Sequence, residues 1–234
     1  MKVLNFCNIK GGTGKSSLSY LSGIFLSSRG DRVLFLDLDP QGSLTNRNLE
    51  EKPEKTLYHI IAENLSSREC IIDINENLSI IPSEIKLEKV SYNVAERSIQ
   101  KILKGMKYDY VIIDNPPNFN SLVRSGIASS DRVFIPSLIS QNDFDSVVYS
   151  IQEIENLNEK AERIIVLNRT PKKESKEEMD YLESYEISTS RVIRFQNLTG
   201  LKRIQDRGES LDIKKNAVIK ESISNLINMS SLVV

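Results

Sequence analysis

NIKGGTGKSSL, at residues 8–18, is the stretch that decides the fold of this chain. It follows a strand-like apolar run and precedes a helical pattern, so its glycines connect a predicted strand to a predicted helix. The usual phosphate-loop pattern, G-x-x-x-x-G-K-[ST], requires a glycine five positions before Gly14, and Ile9 stands there instead. A second lysine, Lys10, is its neighbour. The stretch is therefore either a damaged nucleotide loop or a variant one.

The residue types of this loop favour phosphate binding over a glycine-rich turn with a chance lysine. Glycines adopt backbone angles closed to other residues, so consecutive N–H groups can turn inward around phosphate oxygens. The helix that follows adds partial positive charge at its N-terminus. Lys15 would reach the β- and γ-phosphates, and the Ser16 hydroxyl would bind Mg²⁺. The loop residues predicted to bind ATP are Lys10, Gly11, Gly12, Thr13, Gly14, Lys15, Ser16 and Ser17.

Two further predicted strands end in carboxylates. VLFLDLDPQGS ends its strand with Asp37 and Asp39, and YDYVIIDNPP ends another with Asp114. Four apolar residues before an aspartate are typical of a Walker B strand, so Asp114 would hold Mg²⁺ through a water. An exposed aspartate at a strand end is the alternative for each one singly. In a parallel sheet, however, all three segments finish at one edge, where ligands of such folds bind.

Alternating strand and helix patterns predict the fold class. Near-continuous apolar strands separated by helices indicate an α/β fold with three layers, a doubly wound, mostly parallel sheet flanked by helices on both faces. We find no repeat or linker, so residues 1–234 are predicted to form a single domain. The predicted strands lie near residues 3–9, 32–37, 78–82, 110–114, 132–136, 163–168 and 191–195, and the predicted helices near 15–28, 56–64, 86–106, 119–129, 143–160 and 174–185.

Composition excludes several classes of function. The net charge is −1, so any contact with nucleic acid or membrane must use a local patch. His59 is the single histidine, which rules out metal sites built from several histidines. Cys7 and Cys70 lie far apart in apolar runs and are expected to be buried thiols. The start lacks a signal-peptide pattern and no run is long enough to span a membrane, so we expect a cytoplasmic protein.

The segments KGGTGKSS, DLDPQGS and IIDNPP, in this order and at these separations, resemble the ParA/MinD family of P-loop ATPases. That family has a deviant Walker A loop, Lys-Gly-Gly-x-Gly-Lys-[Ser/Thr], which does not require the earlier glycine, so Ile9 is permitted. NLSIIPS, SGIASSDRVFIPS and VLNRT also match the family's layout, and the resemblance covers nearly the whole chain. It implies an ATPase that uses ATP and Mg²⁺.

The resemblance also implies roles for individual residues. Lys10 would reach across a nucleotide-sandwich homodimer to the partner's phosphates, as an arginine finger does in other NTPases. Asp39 would position the attacking water, and Asp37 would support the switch segment and the Mg²⁺ shell. Ser17 would touch the α-phosphate, and Asn168 would contact adenine. Ser17 and its neighbour Ser16 stand where threonines are commoner in the family, which keeps the hydroxyls.

Members of this family differ in the surface with which they bind their partners, such as DNA or a membrane. A ParA-like protein uses a basic face to bind double-stranded DNA without sequence preference. Residues 191–207 carry five basic residues against Asp206 alone, and two lysines follow closely, although a solvated helix face would have a similar composition. The predicted DNA-binding residues are Arg191, Arg194, Lys202, Arg203, Arg207, Lys214 and Lys215. The resemblance then implies a nucleoid-associated partition ATPase that works with a ParB-like centromere-binding protein.

Other functions of the same fold remain as alternatives. A MinD-like protein needs a C-terminal basic amphipathic helix for membrane binding, and no Lys or Arg follows Lys220, which argues against a membrane partner. A metal-cluster carrier would need closely placed cysteines, and a cobyrinate amidating enzyme a further glutaminase domain. A spatial regulator that positions protein cargo or division machinery by the same cycle cannot be separated from a DNA-segregation ATPase at this point.

Overall fold

The computed structural model describes residues 1–171, 173–188, 191–196 and 217–228, the last segment without the side chains of residues 217 and 218. Within these residues the strands form one eight-stranded sheet, in the spatial order β3-β4-β2-β5-β1-β6-β7-β8. Every neighbouring pair is parallel except β3 with β4. The strands are β1 (Lys2–Phe6), β2 (Val33–Asp37), β3 (Ile72–Asn75), β4 (Leu78–Ile81), β5 (Tyr110–Asp114), β6 (Arg132–Ser137), β7 (Glu162–Thr170) and β8 (Val192–Gln196).

The helices follow most strands in alternation, as the sequence predicts. They are α1 (Lys15–Ser28), α2 (Ser43–Asn48), α3 (Leu57–Ala62), α4 (Ser98–Leu103), α5 (Ser121–Ala128), α6 (Gln141–Leu157), α7 (Lys176–Ser184) and α8 (Ala217–Asn228), with short 3-10 turns at Ser67–Cys70 and Ile85–Lys89. Helix α1 begins directly after Gly14, which takes a left-handed conformation with φ 102° that other residues rarely adopt.

Helices cover both faces of the sheet. On one face, α1 packs Leu18, Leu21 and Phe25 against the sheet, and α8 joins the same apolar core through Ile219 and Ile223. On the other face, α3, α4 and α5 pack over the β2–β5 side, and α5, α6 and α7 over the β6–β7 side. The inner strands are buried on both faces because helices lie above and below them, whereas the edge strands β3 and β8 are partly exposed. The predicted three-layer fold is thus confirmed.

One predicted helix is wrong. Residues 86–106 do not form a single helix, since a 3-10 turn and a loop precede the short helix α4. Helix α5 explains the break: Leu122 N–H donates to the carbonyl of Ser91 over 2.8 Å, and the Ser121 hydroxyl donates to the carbonyl of Tyr92 over 2.7 Å. Because these two carbonyls accept hydrogen bonds from α5, they cannot also accept the backbone N–H groups of a continuous helix over residues 86–106. Helix α2 and the antiparallel strand β3 were not predicted from the sequence.

Helix α8 is fixed to the sheet by a buried guanidinium. Arg132, at the start of β6, is fully buried and donates from Nη1 to the carbonyl of Ile227 over 2.7 Å. Its Nε pairs with Glu162 at 2.6 Å. The apolar side of α8 therefore faces the core. Among the residues that the structure describes, no helix has the length and apolar character needed to cross a membrane.

Candidate nucleotide-binding site

Three strands bring the predicted motifs to one edge of the sheet. In the register of the central strands, Phe6 lies beside Asp114, and Asp114 lies beside Asp37. The glycine-rich loop leaves β1 directly after this row. The carboxylates of β2 and β5 therefore lie under the loop, as the parallel arrangement predicts.

The loop is closely packed at Gly14. A Cβ atom placed there would come within 2.2 Å of Asn168 Nδ2. This nitrogen donates to the carbonyl of Thr13 over 2.8 Å, so Asn168, at the end of β7, holds the loop in place. Gly12 also has a positive φ, 76°, but a Cβ there would meet nothing within 4 Å. The space at Gly12 is open toward solvent, whereas Gly14 serves both the turn and the packing.

Lys15 points back into the loop. Its Nζ donates to the carbonyl of Lys10 over 2.9 Å, and the residue is only 7% exposed. Burial lowers the pKa of Lys15, and the charges of Asp114 and Asp39 act in the opposite direction. A buried ammonium group whose hydrogen bond goes to a neutral carbonyl is stabilised further when an anion binds beside it. Cys7 lies close by, fully buried, and burial raises the pKa of its thiol to about 12, so it is a packed, unreactive cysteine.

Lys10 has a different environment. Its Nζ lies 2.7 Å from Asp143 Oδ1, and its side chain is 34% exposed, whereas that of Asp143 is 4% exposed. Asp143 lies in the first turn of α6 and also accepts a hydrogen bond from the hydroxyl of Ser140, the N-cap residue. The backbone N–H of Lys10 donates to Asn8 Oδ1 over 3.0 Å. Lys10 is thus held at the rim of the loop by its own chain.

Two buried carboxylates face each other below the loop. Burial, followed by the charge of Asp114, raises the pKa of Asp37 to about 8. Burial also raises the pKa of Asp114 to about 6, with Asp39 adding to the shift and hydrogen bonds from Ser16 and Ser19 opposing it. Two carboxylates in a dry site at adjacent strand ends favour either a proton or a cation between them.

The two carboxylates differ in how completely they are hydrogen-bonded. Asp37 Oδ2 accepts from the backbone N–H and the hydroxyl of Thr45, at 2.8 and 2.7 Å, and its Oδ1 accepts from the N–H of Asp39. Asp114 Oδ2 is buried and has no hydrogen-bond partner in the part of the chain that the structure describes. The donor set of Asp114, with the hydroxyl of Ser16 beside it, therefore fits a hard cation such as Mg²⁺. Asp37 acts mainly as an anchor for α2.

Asp39 begins the segment between β2 and α2. It is 9% exposed, and its Oδ1 accepts from the N–H of Gln41 over 2.9 Å. Thr45, which binds Asp37, also accepts the N–H of Ser83 over 2.9 Å, so the segment after Asp39 is tied to the end of β4. The predicted switch residue is therefore placed within the electrostatic reach of Lys15 and Asp114.

The structure brings the predicted loop residues, Asp37, Asp39, Asp114 and Asn168 together. It adds three residues that the sequence reasoning missed: Asn8, Asp143 and Ser150. Asn8 Nδ2 donates to the carbonyl of Pro136 over 2.7 Å, and the hydroxyl of Ser150 donates to Asn8 Oδ1 over 3.3 Å. Asn8 precedes the loop and could have been found there, but no sequence signal connects Asp143 or Ser150 to it.

Two of the predicted DNA-binding residues, Arg194 and Arg191, lie among the described residues. Arg194 Nε lies 2.7 Å from Oε1 of Glu178, a residue that is 1% exposed, so its charge is already matched within the fold. Arg191 is exposed on the surface just before β8. The other five fall outside the described residues: Lys202, Arg203, Arg207, Lys214 and Lys215.

A family model described as an AAA domain matches residues 1–167. The sporulation initiation inhibitor protein Soj of Bacillus subtilis is 36% identical over 149 residues, which cover 58% of this chain and 57% of that protein. The chromosome-partitioning ATPase Soj of Treponema pallidum is 34% identical over 143 residues, covering 58% of this chain and 56% of that protein. The matched region thus spans a little over half the length of these curated relatives.

Solved structures match over almost the whole chain. Apo McdA of Cyanothece superposes with a TM-score of 0.86 at 22% identity, covering 98% of this chain and 99% of that one. A putative plasmid partition protein from Borrelia burgdorferi, bound to AMPPNP, superposes with a TM-score of 0.84 at 24% identity, covering 97% and 98%. The likeness of these structures shows a shared fold. The matching family model, the Soj relatives and the variant loop above the Asp114 strand end lead to one conclusion: the chain belongs to the ParA/MinD family of P-loop ATPases.

Proposed function

We propose that this chain is a ParA-type ATPase that dimerises on ATP, binds DNA without sequence preference and segregates a plasmid or chromosome together with a centromere-binding partner. The observation that carries the proposal is the contrast between the two loop lysines. Lys15 is buried and directed into the loop, whereas Lys10 lies at its rim with a partly exposed side chain. A partly exposed cation at the rim of the loop would be within reach of the phosphates of a second chain bound face to face.

ATP binding is assigned to the loop and to the end of β7. The backbone of residues 10–14 would surround the β- and γ-phosphates, with Lys15 as their cation and Ser17 at the α-phosphate. Thr13 supports this assignment, because its buried Oγ1 has no hydrogen-bond partner among the described residues. Asn168 lies against the loop and would turn its amide from the Thr13 carbonyl toward adenine when the nucleotide binds.

Mg²⁺ would be held by the Ser16 hydroxyl and, through a water, by Asp114, with Asp37 in a supporting place. The ion would neutralise charge between the β- and γ-phosphates when bound. The unpartnered Oδ2 of Asp114 supports this assignment. Asp37 already accepts three hydrogen bonds, so its contribution is to hold Asp39 and Thr45 in place.

Hydrolysis would use Asp39 and the Lys10 of a second chain. Asp39 would orient the attacking water at the γ-phosphate. Lys10 would leave Asp143 and cross the dimer interface, where its charge would stabilise the transferred phosphoryl group. Partner-stimulated turnover would follow if the centromere-binding protein favours this arrangement.

DNA binding would place the ATP dimer on the nucleoid in the cytoplasm. Arg191 and the basic residues between 202 and 215 would contact phosphates, while Arg194 serves the fold through Glu178. Relatives described as a chromosome-partitioning ATPase and a probable plasmid-partitioning protein support the segregation role. Membrane binding is not part of the proposal, since the apolar side of α8 is packed into the core.

A spatial regulator of protein cargo is the second candidate. It is favoured by a 24% identical relative described as a maintenance of carboxysome distribution protein, and by the superposition on McdA. Both candidates use the same nucleotide cycle and differ in the partner.

The experiment for the proposed function is DNA binding with ATP, ADP and no nucleotide, at two salt concentrations. We expect binding with ATP alone, weakening steeply with salt, and no binding by Lys15→Ala. Equal DNA binding without nucleotide would contradict the switch. ATP-dependent dimers that bind no DNA at either salt concentration would leave the ATPase assignment intact and refute the segregation role.

A further inference from the structure

The edge of the sheet opposite the loop carries a groove with a basic rim. The groove lies between the start of β1, the C-terminal end of α4 and the turn that connects α5 to β6, and it encloses about 620 Å³. We propose that this groove, called the α4 groove, binds an acidic protein segment that carries an apolar side chain. The binding itself does not depend on the proposed ATP cycle.

The rim of the α4 groove is positively charged. Arg97, Lys101 and Lys104 are exposed lining residues. Across residues 1–171, 173–188, 191–196 and 217–228, none of the three has a carboxylate within 4.0 Å. Arg32, which precedes the neighbouring strand β2, is by contrast paired with Asp109 at 3.2 Å. Three unpaired cations around one opening attract an anionic partner.

Among the described residues, Asp131 is the one carboxylate that lines the groove, and it is already engaged. Asp131 Oδ2 accepts the backbone N–H of Val3 over 2.7 Å, and the N–H of Asp131 donates to the carbonyl of Val3. Asp131 thereby closes the start of β1 instead of pairing with the rim. Lys101 lies in the last turn of α4 and Lys104 is its C-cap, where the helix dipole favours a cation but does not cancel its charge. The charge of the rim therefore remains available.

The floor of the α4 groove is apolar. Val3 and Leu103 are 5% and 3% exposed and belong to the core beneath, while Met106 packs against that core and remains partly exposed. Methionine adapts its shape to different apolar partners. A nucleic-acid backbone would use the cations and leave this floor empty, whereas a peptide with an apolar anchor among acidic residues uses both. The combination of floor and rim selects a peptide segment over DNA.

The position of the groove makes it compatible with the nucleotide cycle. Strand β1 connects the groove to the loop, and its five residues span about 16 Å at about 3.3 Å per residue. A second chain bound over the loop would leave the opposite edge of the sheet uncovered. A segment in the α4 groove could thus stay bound through dimerisation and hydrolysis.

NMR of the full chain tests the proposal, because amide shifts report binding even at millimolar dissociation constants. The probes are three synthetic twelve-residue peptides: Glu residues around Leu and Phe anchors, the same anchors with Lys in place of Glu, and Glu with Ser in place of the anchors. We expect the first peptide alone to shift amides of residues 97–106 and 129–131. If it leaves these amides unmoved, or if all three peptides move them equally, the proposal is overturned.

Variants assign the effect to the rim and the floor. Lys101→Glu with Lys104→Glu should weaken the first peptide by at least about tenfold. Lys52→Glu with Lys89→Glu, which changes the net charge equally at exposed sites elsewhere, should leave binding unchanged. Met106→Gln should weaken binding of the first peptide, because it makes the floor polar while leaving the three cations of the rim unchanged. Equal losses in both charge variants would contradict a local site. A random 20-base-pair duplex that shifts the same amides, in place of the peptide, would assign the groove to nucleic acid and refute the proposal.

Discussion

Asp143→Asn separates the two positions that Lys10 must occupy in the proposed cycle. In the nucleotide-free chain Lys10 Nζ lies 2.7 Å from Asp143, and in the proposed dimer it binds the partner's phosphates. Releasing Lys10 from Asp143 is therefore part of the free-energy cost of dimerisation. Removing the carboxylate removes that cost while leaving Lys10 in place. We expect the variant to dimerise more readily with ATP and to be slightly less stable without it.

The magnitude follows from the exposure of the pair. Fully exposed ion pairs contribute up to about 1 kcal/mol, and breaking buried ones costs about 3–5 kcal/mol. Here Lys10 is 34% exposed and can rehydrate, and asparagine leaves no buried charge behind, so we take about 1 kcal/mol per chain. A dimer releases two such pairs, or about 2 kcal/mol, which corresponds to about thirtyfold in the dimerisation constant.

Sedimentation velocity with Mg²⁺ and a non-hydrolysable ATP analogue measures this constant. Ser140→Ala is the matched control: it removes the helix cap and the hydroxyl contact to Asp143 but leaves the Lys10 pair. It should lower the free energy of unfolding by about 1 kcal/mol without strengthening the dimer. In a Lys10→Ala background, Asp143→Asn should have no effect on dimerisation. A weaker or unchanged dimer in Asp143→Asn alone, or an equal gain in that background, would refute the reasoning.

Three further predictions concern the fold around the site. In Gly14→Ala the new Cβ disfavours the left-handed φ and displaces Asn168, so the melting temperature without nucleotide should fall by several degrees. Gly11→Ala is the control: its Cβ would meet only Pro117, at 4.0 Å, and it should melt close to the wild type. Arg132→Met removes the contact to Ile227, and hydrogen exchange of residues 217–228 should accelerate before that of β1. The third prediction is a pH dependence. The pKa values of Asp37 and Asp114, about 8 and about 6, lie above the ordinary 3.8, so in EDTA the folded chain binds more protons than the unfolded one between pH 4 and 8. Its free energy of unfolding should therefore fall as pH rises through this window, by up to about 1.4 kcal/mol per pH unit and proton, and Asp37→Asn should flatten the slope in chemical denaturation. Unchanged melting of Gly14→Ala, uniform exchange in Arg132→Met or a parallel slope in Asp37→Asn would each count against the corresponding account.

Local patterns predicted the central sheet and the meeting of the loop and the strand-end aspartates at one of its edges. Helix α1 has the predicted bounds because Gly14 marks its start and Gly30 lies just past its end, and β5 matches because its apolar run stops at Asp114. The loop glycines and the strand-end aspartates could be recognised from their neighbours in the sequence alone. A parallel sheet then brings the ends of their strands together.

Contacts between distant residues were not predictable. The loop that interrupts residues 86–106 is held by Ser121 and Leu122, which follow it by about thirty positions. Strand β3 is only four residues long, half-buried and antiparallel at the sheet edge, so its pattern is weak. The Lys10–Asp143 pair joins the loop to a helix 133 positions later, and neither residue's neighbours indicate the other. Tertiary packing alone determines these features.

The mass of the protein in solution with ATP and Mg²⁺, compared with ADP and Mg²⁺, tests the central claim most directly. Measured by light scattering on a column for the wild type, Lys15→Ala and Lys10→Ala, it reports whether the second loop lysine belongs to a two-chain site. We predict a dimer for the wild type with ATP alone and monomers for Lys15→Ala in every condition. Lys10→Ala should bind ATP and show a weaker dimer. A wild type that stays monomeric with ATP, or a Lys10→Ala variant that dimerises as well as the wild type, would contradict the claim.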